Sequence, residues 1–152
     1  MAPPVVLLRP AIMADAECLR AWRNDPETRR QSFQARPVSL AEHTTWLYGV
    51  LTDPSRMLWI AEEDGRPVAS GRLDARPGGW AEVHITVDPA ERGRGVGTAV
   101  IAALVEQAKL SLYAWLQARI KPNNAASRQA FAANGFRIAS RDEDEIVMER
   151  AV

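Results

Sequence analysis

Two neighbouring stretches of this chain hold residues whose types and spacing could do chemistry. In the run Trp80–Val87, Glu82, His84 and Thr86 alternate with Ala81, Val83, Ile85 and Val87. A strand turns alternate side chains to opposite faces, so the three polar residues share one face. A carboxylate and an imidazole side by side could remove a proton from an incoming nucleophile if that face lines a cleft. The same alternation also fits a solvent-facing polar edge. Asp74, at the end of the preceding apolar run, is a weaker candidate for the same work. The second stretch follows at once: Asp88-Pro89-Ala90-Glu91-Arg92-Gly93-Arg94-Gly95-Val96-Gly97-Thr98. Glycines here let the backbone approach an anion with no Cβ in the way. The helix predicted after them adds unpaired N–H groups and partial positive charge at its start. Such a turn is a cradle for a pyrophosphate, and hence for a nucleotide-like cofactor.

Spacing narrows the kind of cradle. A Walker loop requires Gly-x-x-x-x-Gly-Lys-Ser/Thr, and that lysine is missing. A dinucleotide fingerprint requires Gly-x-Gly-x-x-Gly early in a βαβ unit with an acidic residue further on. Here the glycines stand at 93, 95 and 97, late in the chain, with no acid at the required place. An ordinary glycine-rich turn capping a helix is the plain alternative.

Composition limits the partners. A length of 152 residues suits a single domain, 1–152, with a sizeable core. Nineteen basic and nineteen acidic residues leave no net charge, which argues against nucleic acid or a membrane surface as the main partner. One cysteine, Cys18, cannot form a disulfide within the chain, and its apolar helical setting suits a small core residue. Two separated histidines and one cysteine give no ligand cluster, so no metal is expected. The N-terminus lacks a charged segment leading into an apolar stretch, and no run approaches membrane-spanning length. The expectation is a cytoplasmic protein. Exposed tryptophans would mark a homodimer face.

The elements that must position these residues can be read along the chain. Val5–Arg9 reads as a strand. Asp15 is placed to cap a helix carrying Ala16, Leu19, Ala21 and Trp22, which ends near Asn24-Asp25-Pro26 because the residue before proline avoids the helical region. Thr28–Phe33 reads as a short helical turn. Ser39-Leu40-Ala41-Glu42 is a capping box, opening a helix with Leu40, Thr44, Leu47 and Leu51 near one face. Met57–Glu62 and Pro67–Leu73 read as a hairpin about Asp64-Gly65. Pro77-Gly78-Gly79 turns the chain into Trp80–Val87. Helix Ala99–Lys109, strand Tyr113–Ile120 and helix Ser127–Asn134 follow, with Gly135 suited to a left-handed C-cap. Phe136–Ser140 and Glu145–Glu149 close the chain as strands. The predicted class is α/β (α+β), a mixed, mostly antiparallel sheet flanked by helices.

The pattern Arg92-x-x-Gly95-x-Gly97 resembles the acyl-CoA loop of the GNAT superfamily of N-acetyltransferases. A second stretch strengthens the likeness: Asn124-Ala125-Ala126-Ser127-Arg128-Gln129-Ala130-Phe131-Ala132-Ala133-Asn134-Gly135-Phe136 is similar to that family's Asn-x-x-Ser-x-x-x-aromatic-x-x-x-Gly-Phe segment. The resemblance extends from Val5 to Glu149. It implies acetyl-CoA as acyl donor and a primary amine as acceptor. It also implies that the strand before the loop and the strand after its helix splay apart, with pantetheine in the gap. The cofactor contacts it implies are Ile85, Thr86 and Val87 on the strand, Arg92, Gly93, Arg94, Gly95, Val96, Gly97 and Thr98 in the loop, and Asn124, Ser127 and Phe131 beyond. A backbone N–H near Ile85–Val87 would hold the thioester oxygen. In many family members the aromatic is a tyrosine that protonates the leaving thiolate. Phe131 has no proton to give, and core packing would also account for it.

The front of the chain, Trp22-Arg23-Asn24 followed by Ser39-Leu40-Ala41-Glu42-His43, resembles the acetyltransferases that modify the 4-amino group of a UDP-linked 4-amino-4,6-dideoxy sugar. That likeness implies Arg23 and His43 facing the nucleotide of the acceptor. A guanidinium forks well onto a diphosphate. Alternatively, Arg23 caps the end of its helix and His43 satisfies a local polar contact. Arg29 and Arg30 suit solvated surface charge, with substrate contact the less common alternative. Ribosomal-protein N-terminal acetyltransferases carry related front segments, so a protein N-terminus or another small amine is a rival acceptor. A catalytically silent acyl-CoA-binding module is a third reading, favoured by Phe131.

Overall fold

The computed structural model describes residues 3–152. Seven strands form one sheet: β1 (Leu7–Pro10), β2 (Arg56–Glu63), β3 (Arg66–Arg76), β4 (Trp80–Val87), β5 (Trp115–Ile120), β6 (Arg137–Arg141) and β7 (Ile146–Ala151). Their order is β1-β2-β3-β4-β5-β7-β6. Only the β4–β5 pair is parallel; its neighbours are antiparallel. Helices α1 (Ala16–Asn24), α2 (Pro26–Arg30), α3 (Leu40–Leu51), α4 (Val96–Leu110) and α5 (Ala125–Ala133) complete the fold. The class expected from the sequence, a mixed and mostly antiparallel sheet with flanking helices, is the one observed.

Strand alternation sorts the core into two layers. On one face Leu58 and Ile60 of β2 meet Leu19 and Trp22 of α1 and Leu47 and Val50 of α3. On the other, Leu73, Ala81 and Val83 meet Val100, Ile101 and Leu104 of α4. Gly71 of β3 lies directly under Leu104, and a Cβ there would come within 2.9 Å of Leu104 Cδ1. Leu104 is fully buried and has little room to swing aside. Gly71→Val is therefore expected to cost about 1–3 kcal/mol by overpacking, read as a lower urea midpoint with unchanged m-value. A variant as stable as the parent would mean that α4 shifts off the sheet without cost.

Several local expectations change in the tertiary setting. Asp15 does not cap α1 with its side chain. Its carboxylate instead takes two bonds from Arg9, each 2.9 Å, and one from the Ile12 N–H at 2.8 Å. An arginine fork on the adjoining strand outcompetes a single N–H. Ala21 is exposed, and the inward face of α1 is Ala16, Leu19 and Trp22. The short helix α2 starts at Pro26, two residues earlier than the predicted turn, because Asp25 accepts from the Thr28 N–H at 3.0 Å and proline suits the first helical position. The capping box at Ser39 and Glu42 forms as predicted. The buried stripe of α3, however, is His43, Leu47 and Val50, with Leu40 exposed. Gly135, at φ +82°, ends α5 as predicted. The Gly135 and Phe136 N–H groups return to the carbonyls of Ala132 and Phe131, and the two phenyl rings meet edge to face at 4.9 Å.

Candidate active site

The site begins where the sheet parts. β4 and β5 pair only at Trp80 with Trp115, Ala81 with Leu116 and Glu82 with Gln117. The two indoles stack at 4.4 Å, nearly parallel, and pin the closed end of the fork. Beyond Glu82 the strands have no pairing, while β4 stays zipped to β3 as far as Val87. Strand geometry then decides which backbone groups face the gap. The Asp88 N–H donates to Val68 on the β3 side, and the Gly79 carbonyl accepts from Ala114 on the β5 side. Odd-numbered residues of β4 therefore turn toward β5. The N–H groups of Ile85 and Val87, past the last β4–β5 pair, face the opening without a strand partner among the described residues.

At the mouth of the fork the chain turns through Gly93 and Gly95, at φ +78° and +81°. An L-residue rarely adopts that conformation, which explains the glycines. Gly95 is the N-cap of α4 and supplies no side-chain acceptor. The first helical bond is Ala99 N–H to the Gly95 carbonyl. The N–H groups of Val96, Gly97 and Thr98 therefore have no acceptor among the described residues and converge at the helix start. The donor set fits a pyrophosphate. Gly97 sits over Ile85 and Val87, where a Cβ would make ordinary contact at 3.7 Å with each. Val96 points its side chain into the core.

The other predicted cofactor residues are distributed differently. Arg92 is ion-paired with Asp25 and donates to Thr28 Oγ1 at 3.0 Å. Arg94 grips Glu63 at 2.7 and 3.0 Å and reaches Glu91 at 3.2 Å. Both guanidiniums are held by carboxylates, and the cradle as it stands consists of backbone. Asn124 is the N-cap of α5: its Oδ1 accepts from the Ser127 N–H at 3.1 Å and its Nδ2 donates to Ser127 Oγ at 3.2 Å. Phe131 is buried against Phe136. Asn134 ties α5 to α4 by donating to the Thr98 carbonyl at 3.0 Å.

Glu82, His84 and Asp74 come together. Register places Arg72 opposite His84 and Asp74 opposite Glu82. His84 Nε2 lies 3.0 Å from Glu82 Oε1 and 3.3 Å from Asp74 Oδ2. It is shut from solvent and in line with neither oxygen for a good hydrogen bond, so the contact is mainly ionic. The His84 side chain is nevertheless 40% exposed, which leaves Nδ1 as the nitrogen facing out of the cluster. Arg72 donates to both oxygens of Asp74, at 2.8 and 3.2 Å. Arg76 reaches Glu82 at 3.4 Å. Burial disfavours the charged forms of His84 and Asp74, but their partners outweigh it. His84 is raised by Asp74 and Glu82, and Asp74 is lowered by His84 and Arg72. Glu82 is lowered chiefly by His84. The result is an imidazole held between two carboxylates, which favour its protonated form.

Arg72 also lies 5.4 Å from the ring of Trp46, and His43 is 5.2 Å from the same ring. Trp46, 37% exposed, is the most open of the five tryptophans, and it joins α3 to the acidic cluster. His43 is buried, with Nδ1 unpartnered among the described residues. Burial, then the charges of Arg20 and Arg23, hold its pKa below the ordinary histidine value. Arg23 does not cap its own helix; it donates to the Gln34 carbonyl in the following loop. Alternation along Trp80–Val87 put Glu82 and His84 on one face, where the structure brings them together. Arg72 and Arg76 carry no motif, and their part follows only from register, while Trp46, which stands with His43 in the front segment of the sequence, is brought to Arg72 by the docking of α3.

A mixed sheet forked between parallel strands, with a glycine turn and a bare helix start at the fork, defines a domain of the acetyltransferase class. The acetyltransferase (GNAT) domain model matches residues 6–137, and the chain belongs to that family. Among its relatives is the mycothiol acetyltransferase of Clavibacter michiganensis, 40% identical over 67 residues, which are 44% of this chain and 21% of that one. Another is the L-2,4-diaminobutyric acid acetyltransferase of Nocardia farcinica, 39% identical over 77 residues, which are 49% of this chain and 40% of that one. The chain thus spans less than half the length of these curated relatives. A crystal structure of the ribosomal-protein-alanine N-acetyltransferase of Brucella melitensis superposes with a TM-score of 0.81 at 25% identity, over 96% of this chain and 99% of that one.

Proposed function

We propose that the protein transfers an acetyl group from acetyl-CoA to a primary amine. The observation that carries this reading is the fork: unpaired β4 N–H groups and the α4 start lie along one side of a gap, and the Glu82–His84–Asp74 cluster lies on β3 and β4 where it opens. When bound, acetyl-CoA supplies the acetyl group as a thioester. The N–H groups of Ile85 and Val87 stabilise the carbonyl oxygen as charge builds on it. His84 Nδ1 takes the proton of the attacking amine, while Glu82 and Asp74 hold the opposite edge of the ring and stabilise the imidazolium. The C–S bond then breaks. Phe131 cannot protonate the sulfur, and a thiol with a pKa of about 8.5 leaves acceptably as thiolate near neutral pH.

The acceptor reading rests on less. The likeness of the front segment supports a UDP-linked 4-amino-4,6-dideoxy sugar, with Arg23 and His43 toward its nucleotide. The Brucella relative's name supports a protein N-terminus, and the Nocardia relative's name supports a small diamine. Phe131, standing where many family members have a tyrosine, supports the silent acyl-CoA-binding module. Thiol release from acetyl-CoA, measured with a UDP-4-amino-4,6-dideoxy sugar, 2,4-diaminobutyrate and an alanine-ended peptide against a no-acceptor control, separates these. Release that depends on one acceptor names its class. Coenzyme A binding with no release for any amine would overturn the catalytic reading and leave the binding module.

A further inference from the structure

The segment from the end of α1 to the start of α3 carries more positive charge than its carboxylates neutralise. Asp25 is taken by Arg92, Glu27 by Arg30 and Glu42 by Arg36. Arg20, Arg23 and Arg29 have no carboxylate partner among the described residues. The Arg29 guanidinium makes no ion pair or hydrogen bond there, yet its Nε is shut from solvent. Arg23 Nη1 and His43 Nδ1 are likewise shut from solvent with no acceptor. Arg23 is held below the usual arginine range by burial, then by the charges of Arg29 and Arg36. Surface arginines that merely solvate themselves spread apart and point outward. Here Arg23 and Arg29 instead turn nitrogens inward with nothing among the described residues to receive them, as a site does when it is shaped for an oxyanion.

The position suits an acceptor substrate. The α1–α2 junction is tied to the glycine turn through Arg92, while Lys121 after β5 donates to the Arg30 carbonyl at 2.7 Å and Arg119 of β5 stacks on Phe33 at 5.1 Å. α2 and the loop after it thus bridge from the glycine turn to the β5 side of the fork. His43 connects this bridge, through Trp46 and Arg72, to the acidic cluster around His84.

We propose that Arg23 and Arg29, with His43 beside them, form a subsite for an oxyanion carried by the acceptor, a phosphate or a carboxylate, so that the substrate is an amine with a negatively charged group at its far end. The subsite receives the anion while the Glu82–His84–Asp74 cluster receives the ammonium end, and a simple diamine without an acidic group would satisfy only the second. This rests on the amine-acetyltransferase reading above.

The test uses the whole chain saturated with coenzyme A, so that the glycine cradle is filled and cannot itself take up an added phosphate. Uridine diphosphate, inorganic phosphate and glutarate are then titrated calorimetrically. Saturable binding of at least one is expected, weakened tenfold or more in both Arg23→Gln and Arg29→Gln and unchanged in Arg141→Gln, an exposed control on β6. Preference for uridine diphosphate would identify a nucleotide source, and preference for glutarate a carboxylate source. Because Arg29 has no partner to lose, Arg29→Gln should melt no lower than the parent, and the bound anion should raise the melting temperature of the parent but not of the variant. No binding by any of the three, or binding that both variants leave intact, overturns the subsite. Failure of coenzyme A itself to bind would instead remove the acyl-CoA reading, and the anion titrations run without it still decide the subsite.

Discussion

Replacing His84 by asparagine is expected to lower kcat/KM about 10²–10⁴-fold, the range for losing a positioned general base, and to leave coenzyme A binding unchanged. The reason is division of labour within the fork. The proposed cofactor side consists of backbone donors on β4 and α4, which the substitution does not touch. His84 Nδ1 is the titratable nitrogen that opens from the cluster, and asparagine offers nothing there that takes up a proton. The neighbouring carboxylates give this prediction a pH signature. Between Asp74 and Glu82 the imidazolium is favoured, so the pKa of His84 lies above its ordinary value of 6.5. Only neutral His84 can accept a proton. Activity should therefore fall as pH drops through that raised value, with the acidic limb of the kcat/KM profile centred above pH 6.5. Asp74→Asn removes one of the two negative neighbours and should move the limb toward lower pH. An unmoved limb would mean that another group limits the rate.

The same shift bears on stability with the opposite sign. A histidine whose pKa is raised on folding contributes stability that is fully present below its unfolded pKa and is lost as pH rises through the folded value. The His84 contribution is complete below about pH 6.5 and is lost as pH rises through the raised folded value, where the base becomes active. The melting temperature of the parent relative to His84→Asn should thus narrow with rising pH across the range in which activity increases. Parallel trends in the two quantities would rule out His84 as the common cause.

Gly95→Val is the second large effect: acetyl-CoA affinity should drop tenfold or more, and stability by about 1–2 kcal/mol. Space is not the issue, since the nearest atom to a new Cβ is Pro4 Cδ at 3.6 Å. The obstacle is the left-handed backbone at φ +81°. A β-branched residue would push the turn out of that region and rotate the N–H groups of Val96 and Gly97 away from their common focus. Gly97→Ala is the informative contrast. Gly97 is helical, its new methyl would touch Ile85 and Val87 at ordinary distance, and alanine favours a helix by about 1 kcal/mol over glycine. That variant should be at least as stable as the parent, so any affinity it loses reflects crowding of the bound pyrophosphate. Calorimetry with coenzyme A reads both. Full affinity in Gly95→Val would show that the cradle does not depend on the glycine turn.

Much of this site was legible in the sequence because its determinants are local. The glycines at 93 and 95 report a backbone conformation, and the Ser39 and Gly135 caps report helix ends. The alternation through Glu82 and His84 reports one face of a strand. All three depend on residues a few positions apart. The fork came from the resemblance, and only the pairing of β4 with β5 gives it a boundary, at Glu82 and Gln117. Whether an arginine faces a phosphate or a carboxylate was likewise beyond local reach. Arg92 and Arg94 stand in the loop pattern, yet Asp25, 67 residues away in sequence, and Glu63, 31 away, hold them here. The same holds for Asp15, claimed by the arginine of an adjoining strand, and for α3, whose inward stripe is set by what it packs on. The sequence by itself determined the class of fold, the glycine turn and the polar face of β4, since each follows from short-range backbone and side-chain geometry. Only the tertiary structure decided which charges meet. Strand register and helix docking bring Asp74 to His84 and leave Arg23 and Arg29 without a carboxylate among the described residues, and Coulomb interactions depend on distance in space rather than along the chain.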